Sequence, residues 1–537
     1  MGGYRVDGPQ GPCVESPEEM VGRFQAELMT VLPAWRQKLA ANPGQMMELE
    51  QQVHAKFSRG ADLLIVGLMA VVTNTPEFSE GCEQVRQGAT VRLDRGRVRQ
   101  IQVRLLGGLI IWVTSLYCAT RKSWLRQSKE KGSGMYVELA QFGCGKGCSP
   151  GLQSLVARQA ALCPSLQFAQ QELERTGVEL DVKAVRRMAN QSGEDLLRLR
   201  THELELWRAG KLPAGNELAG LRVSAQLDGA RTRIRGEMRD VVPVPEPTNA
   251  DGMPCEDTPG RSRKRPCRTF DADWREPKLL TIYAHDENGR MVKKSQALVD
   301  GTLLGPDAVA ELTAMHLHRL GAAKALSITF VADGGTWIWE RIKTIIKLAK
   351  VSHVPIYQVL DNCHAVHHIS LALAALGYGD AKRKPLYREY RTLLRNGHWR
   401  QVVAELTELA ADQPADAQVW TEIAYLEKHG KAGRLKYPTF RQLGLPLGSG
   451  AIESNIRRVV NLRLKGPGLM WRAENAEGAL ALRAAAVTER WDETLAWVRA
   501  EMGRDRQVNW SWVSPDMLAE LKAEVSIKPP ELQKAVA

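Results

Sequence analysis

The chain has 537 residues, 44% of them apolar and 25% charged. That length implies roughly two to four domains, and the balance is that of a folded globular protein, which excludes disordered and collagen-like chains. Lys and Arg outnumber Asp and Glu by 73 to 61, for a net charge of +12 and a pI near 9.2. Such an excess favours a polyanionic partner without establishing one. The start of the chain is polar and carries Pro9, Pro12 and Pro17, which is not the pattern of a signal peptide. The apolar runs Leu63–Val72 and Leu105–Tyr117 fall short of the ~20 residues that span a bilayer. Nine scattered cysteines make a secreted disulfide framework a poor fit. A reduced cytoplasmic setting without membrane contact is therefore expected.

From about Glu18 to Val72, apolar residues recur at three- and four-residue spacing, as in Met20, Phe24, Leu28 and Leu32, which predicts helix. Between Gly88 and Tyr117, Val91, Leu93, Val98, Ile101 and Val103 alternate with Arg and Gln. Short strands around a turn at Asp94-Arg95-Gly96 are predicted there. A basic segment follows, with Arg121, Lys122, Arg126, Lys129 and Lys131 before Gly132-Ser133-Gly134. It reads equally as a phosphate-tracking loop and as a solvated one. Cys144 and Cys148 form one tight pair, with Cys118 and Cys163 further off. A zinc ribbon wants two such pairs, so these thiols are read as ordinary small side chains.

Several helices are expected from Pro150 to Arg200. Gly177 separates Phe168–Arg175 from a second amphipathic run, Asp181–Ala189, in which Val182, Val185 and Met188 fall on one side and Lys183, Arg186 and Arg187 on another. A helix-turn-helix of this kind would set its basic second helix in a DNA groove, although plain bundles use the same geometry. From Arg222 onward strands and helices alternate, the pattern of an α/β layer fold. Strands are predicted at Val223–Leu227, Leu279–Ala284, Gln296–Val299, Leu326–Ala332 and Pro355–Leu360. Helices are predicted at Asp307–Leu320, Trp337–Lys350 and Asp380–Glu427, resuming at Ser449. A Pro-, Asp- and Arg-rich loop, Val241–Trp274, has a strongly basic centre at Arg261–Arg268.

Two of these strands end in Asp-Gly: Leu227 leads into Asp228-Gly229, and Ala332 into Asp333-Gly334. Ligands of α/β sheets gather at the carboxyl ends of strands, but Asp-Gly is also an ordinary turn dipeptide. A third acid, Glu453, follows Gly448-Ser449-Gly450 in the first turns of a helix, with Arg457 and Arg458 about one turn on, near enough on that helix to orient the carboxylate or touch phosphate. Two strand-end aspartates and one helical glutamate are the hard-oxygen set that a pair of Mg²⁺ (or Mn²⁺) ions requires. Such ions would activate the attacking oxygen and stabilise the leaving one in displacement at a phosphodiester.

The order strand-strand-strand-helix-strand-helix-strand-helix resembles the RNase H-like core of DDE transposases and retroviral-type integrases. More narrowly, Gln226-Leu227-Asp228-Gly229, Ala332-Asp333-Gly334-Gly335-Thr336-Trp337-Ile338-Trp339, Leu360-Asp361-Asn362-Cys363-His364, Gly448-Ser449-Gly450-Ala451-Ile452-Glu453-Ser454 and Arg463-Leu464-Lys465-Gly466-Pro467-Gly468-Leu469-Met470-Trp471-Arg472 resemble bacterial insertion-sequence transposases of the Kra type, related to the Mutator-like superfamily. The likeness spans roughly Pro150 to Arg499 and is specific as an ordered set.

It implies Asp228, Asp333 and Glu453 as catalytic metal ligands. Asp361 and His364 match an Asp-x-x-His motif that shapes the site or contacts DNA, with Asp361 the rival for third ligand. His364, His367 and His368 read as polar packing or DNA contacts, and Trp337, Trp339 and Trp471 as packing residues. Lys183, Arg186, Arg187, Arg457, Arg458 and Lys465 are the candidate DNA contacts. The fold implied is an α/β RNase H-like core (216–379 and 446–500) with an all-α insertion (380–445). A mainly helical N-terminal region with a small β segment (1–150) and a helix-turn-helix (151–215) precede it, and a tail (501–537) ends the chain. Function would be Mg²⁺-dependent cleavage at element ends and strand transfer into target DNA by a homo-oligomer, with binding that weakens as salt rises. The alternatives are a nuclease on the same fold, and a non-catalytic DNA-binding protein or inactive transposase relic.

Overall fold

The computed structural model describes residues 3–88, 93–120, 134–145, 147–238, 270–293, 295–466 and 469–502. The basic segments around Arg121–Lys131 and Arg261–Arg268, and the tail beyond residue 502, lie outside them. The architecture is mixed α/β. A central sheet is built from the apolar runs of the middle of the chain: β6 (Arg222–Gly229), β9 (Lys278–His285), β10 (Leu298–Thr302), β11 (Ser327–Ala332) and β12 (Ile356–Leu360), in the spatial order β10-β9-β6-β11-β12. β6, β11 and β12 run parallel, while β9 is antiparallel to both β6 and β10. Every residue of β9 and β11 is buried, as befits strands covered on both faces. The helices Pro306–Arg319, Thr336–Leu348 and Asn362–Ala375 pack on this sheet through Val309, Ile338, Ile342, Ile369 and Leu373 in one continuous core.

Between the helix Asn362–Ala375 and the helix bearing Glu453 the chain forms four helices, Asp380–Arg395, Trp399–Leu409, Gln418–Lys431 and Tyr437–Gln442, and their buried residues join the core of the sheet. The loop predicted between Val241 and Trp274 differs at its end. Phe270–Arg275 is a strand, β8, paired antiparallel with β7 (Thr232–Met238) in a separate two-stranded ladder. Its strict alternation of acids with Phe270, Ala272 and Trp274 is the period-2 pattern of a half-buried strand, masked in the sequence by the Pro-, Asp- and Arg-rich stretch before it.

The second helix of the helix-turn-helix also departs from its predicted extent. It runs from Val182 to Arg208 rather than ending at Ala189. Gly193 is inside it, not a stop, because the helix Ala473–Val487 crosses there: a Cβ on Gly193 would sit 3.1 Å from the Gly478 backbone. Buried Arg200 further ties this helix to the sheet, donating to Gly301 O at 2.8 Å, to Asp300 at 3.3 Å and to Glu477.

Near the N-terminus, Pro17–Ala41 and Met46–Thr73 form a helical hairpin. It abuts a second sheet made of β1 (Tyr4–Arg5), β2 (Cys13–Val14), β3 (Leu93–Arg104), β4 (Ile110–Thr120) and β5 (Gly134–Tyr136), in the order β2-β1-β4-β3 with β5 also paired to β4. The turn expected at Asp94-Arg95-Gly96 is instead an irregularity within β3. The chain reverses around Gly107 and Gly108, where Gly108 has φ +89°. Buried Asp62 accepts the Gly107 and Leu109 N–H groups at 3.0 Å each, so a helical carboxylate secures that turn.

Candidate active site

β6 and β11 are in parallel register with Gln226 opposite Val331. Asp228 is the penultimate residue of β6 and Asp333 follows the last residue of β11, so the parallel pairing brings both acids to the carboxyl ends of adjacent strands. Each turns one oxygen back onto its own loop: Gly229 N–H donates to Asp228 Oδ1 at 2.6 Å, and Gly335 N–H to Asp333 Oδ1 at 2.9 Å. The glycine after Asp333 is a steric necessity: a Cβ on Gly334 would lie 1.9 Å from Cε2 of the Tyr425 ring, whereas one on Gly229 would meet only the movable end of the Glu276 side chain.

Glu453 reaches the same region because its helix, Gly450–Asn455, is fastened to β6 and β9. The carboxamide of buried Gln226 donates to Gly448 O at 3.2 Å and accepts from Ile452 N–H at 3.0 Å. Asn455 donates to Thr281 Oγ1 of β9 at 3.1 Å. Glu453 Oε1 then lies 2.9 Å from Ser449 Oγ and 3.4 Å from His364 Nε2. Among the described residues no ion pair joins Arg457 or Arg458 to Glu453, which leaves phosphate contact as the other role the sequence allows them. Both are exposed, the chain passes into a π-helical turn at Ile456–Asn461, and Arg458 donates to Val487 O. Gln226 and Ser449 are functional residues that the motifs contain without revealing their roles; a polar Gln226 inside an otherwise apolar strand, two residues before Asp228, is the signal the sequence carries.

Asp361 is spent on structure. It is 2% exposed, its Oδ1 caps the next helix by accepting His364 N–H at 3.0 Å, and its Oδ2 accepts both the N–H and, at 2.7 Å, the hydroxyl of Ser449. The Ser449 hydroxyl has one proton for two nearby carboxylates, so it couples Asp361 to Glu453. His368 is packing: its Nδ1 contacts Glu422 and its ring stacks on Tyr425 with centroids 3.5 Å apart. Tyr425, from the helical segment Gln418–Lys431, wedges beneath Gly334 with its hydroxyl buried and unbonded among the described residues. Burial and the charges of Asp333 and Asp361 push its phenol well above the ordinary range. Trp339 is buried and donates to Asp333 O at 2.9 Å, while Trp337 stacks on Lys278; both are packing residues around the Asp333 loop.

Burial and then the neighbouring Asp333 raise the Asp228 carboxyl to about 7; Glu453 adds to the rise and His364 opposes it. Crowded acids of this kind gain from a shared cation. Among the described residues no three His, Cys, Asp or Glu side chains converge as a ready-made metal cluster. Asp228, Asp333 and Glu453 offer the oxygen donors that a divalent cation such as Mg²⁺ takes, but they do not converge as such a cluster in this structure. Cys148 is buried with its Sγ 3.8 Å from Met188 Sδ, the setting of a packed thiol.

Of the candidate DNA contacts, Lys183, Arg186 and Arg187 are exposed together at the start of the long helix, and Lys465 is exposed beyond the π turn. No helix among the described residues is long and apolar enough to cross a membrane. Compared with family models, curated proteins and solved structures, the chain has no significant match.

Proposed function

We propose that the chain is a DDE-type DNA transposase with an RNase H-like core, cutting the ends of a mobile element and joining them to target DNA. One observation carries this reading: Asp228 and Asp333 lie at the carboxyl ends of adjacent parallel strands, and the helix bearing Glu453 is fastened to one of those strands by Gln226. The chain order of β6, β9, β10, helix, β11, helix, β12, helix accords with the resemblance that the motifs carry, with β7–β8 and the four-helix segment as additions.

Asp228, Asp333 and Glu453 would hold two Mg²⁺ or Mn²⁺ ions, which would supply activation of the attacking oxygen and neutralisation of the leaving one. The residues of the chain do the positioning. The Gly229 and Gly335 amides fix the aspartate rotamers. Ser449 and His364 hold Glu453 toward the aspartates, and Asp361 fixes Ser449 in turn. Such preorganisation is what phosphoryl transfer needs from a protein. The exposed basic start of the Val182–Arg208 helix would supply DNA contacts, and a second copy would hold the second end.

The test is cleavage of labelled DNA carrying the inverted repeats that flank the gene, by wild type and Asp333→Asn, with Mg²⁺ and with chelator. Cleavage and strand transfer into a supercoiled target are expected from wild type with Mg²⁺ alone. Cleavage without joining would leave a nuclease. Equal products from both proteins would remove Asp333 from the mechanism, and DNA binding without any cleavage would leave a binding protein or relic.

A further inference from the structure

A cleft of about 650 Å³ lies away from the acids, between the basic start of the Val182–Arg208 helix, β7 and the segment Leu469–Asn475. Four arginines from four stretches of chain line it, Arg186, Arg235, Arg463 and Arg472, against two glutamates, Glu194 and Glu474. Arg186, Arg235 and Arg472 are exposed. Arg463 is only 5% exposed, yet its contacts are a long 3.4 Å bond from Nε to Ala160 O and a cation–π contact at 4.9 Å with the Trp471 ring. Among the described residues no carboxylate pairs with it. A buried guanidinium without a counter-charge is costly and calls for an anion in the cleft it faces.

The walls are set in place rather than loose. Arg235 N–H donates to Trp471 O at 2.7 Å, Trp471 N–H donates to Arg233 O at 3.1 Å, and Arg235 Nε donates to Met470 O at 3.2 Å. The guanidinium of Arg235 also stacks on Phe270. Arg235, held in this way, loses little freedom when an anion arrives. The distribution of the arginines over four separate stretches suits a repeating anion better than a single one, and exposed Lys183 and Arg187 extend the positive surface beyond the cleft on the Arg186 helix.

We infer that this cleft grips the sugar–phosphate backbone of DNA, with Arg186, Arg235, Arg463 and Arg472 meeting phosphates along one strand. The inference rests on the proposed DNA-processing function and names a part of the surface that would carry it. The segment lining the cleft follows directly from the Glu453 helix and its π turn, so a gripped strand would bear on the element that positions the third acid.

The experiment is fluorescence anisotropy of the full chain with a labelled duplex of arbitrary sequence, over about 50 to 200 mM salt. Arg186→Ala, Arg235→Ala and Arg472→Ala, all at exposed positions, are each expected to lower the slope of log affinity against log salt by about 0.9. The triple variant should lose roughly the sum. Lys347→Ala, at an exposed position on another helix, should leave the slope unchanged. Arg463→Met, checked for folding by its melting curve, should weaken binding at every salt concentration. Salt-sensitive binding by wild type with an unchanged slope in the triple variant would overturn the cleft while leaving the DNA reading intact. Displacement of the duplex by inorganic phosphate beyond its effect on ionic strength would make this a small-anion site and overturn it too. A wild type that binds no DNA would sink both the cleft and the proposed function.

Discussion

Replacing Asp361 with alanine separates a brace from a ligand. The substitution removes the acceptor for the His364 N–H, the helix cap, and for the N–H and hydroxyl of Ser449. Loss of the cap costs about 1 kcal/mol. Ser449 is 2% exposed, so its N–H is left buried without a partner, at about 1–3 kcal/mol; its hydroxyl still has Glu453. The sum is about 2–4 kcal/mol, felt locally in the helix Asn362–Ala375 and at the start of Gly450–Asn455. Asp361→Asn keeps a good cap and loses one acceptor, so it should cost about 1–3 kcal/mol.

Hydrogen exchange resolved by peptide reads this directly, and suits a chain too large for a single two-state transition. Protection in those two helices should fall by roughly two decades in Asp361→Ala, with the N-terminal helical hairpin unaffected. Mg²⁺ titration of the same proteins should show Asp333→Asn losing the ion and Asp361→Asn retaining it with modestly reduced affinity. If Asp361→Asn instead loses Mg²⁺ as completely as Asp333→Asn while its exchange is unchanged, Asp361 is the third ligand and Glu453 is not.

Asp228 supplies a pH test. Its carboxyl is raised from 3.8 to about 7 in the folded chain. A folded value above the unfolded one means that the contribution to stability is complete below the unfolded value and fades as pH rises through the folded one. Asp228→Asn should therefore melt like wild type near pH 4 and above it at pH 8, by on the order of 1 kcal/mol after screening, and Mg²⁺ should narrow the gap; identical curves at both pH values would mean that the acids do not press on one another. Gly334→Ala forces its new Cβ against Tyr425 and should cost about 1–3 kcal/mol and disturb the Asp333 loop. Adding Tyr425→Leu should recover much of the melting temperature, and no recovery would place the strain elsewhere. Arg200→Ala leaves Asp300 and Glu477 buried without their cation and should lower stability by about 3–5 kcal/mol in denaturant titration; a loss below 1 kcal/mol would show the network to be dispensable.

What could be read from the sequence was what short stretches decide. The apolar runs ending in Asp228 and Asp333 announce buried strands with an acid at the carboxyl end, and the Gly-Ser-Gly before Glu453 announces the start of a helix. Elsewhere local signals misled. Asp94-Arg95-Gly96 has turn chemistry, but the cross-strand pairing of β3 with β4 runs through it. The amphipathic run that fades at Ala189 continues as helix to Arg208, through Gly193, where a second helix packs close enough to put a Cβ 3.1 Å from the Gly478 backbone.

Tertiary structure alone decided who touches whom at the site. Ser449 and Asp361 are 88 residues apart and Gln226 and Ile452 are 226 apart, so no local pattern could pair them. The rotamer of Glu453 and the brace role of Asp361 both follow from those distant contacts. A residue's chemistry is written in its identity, but the direction it faces is set by hydrogen bonds that exist only once the sheet has brought remote parts of the chain together.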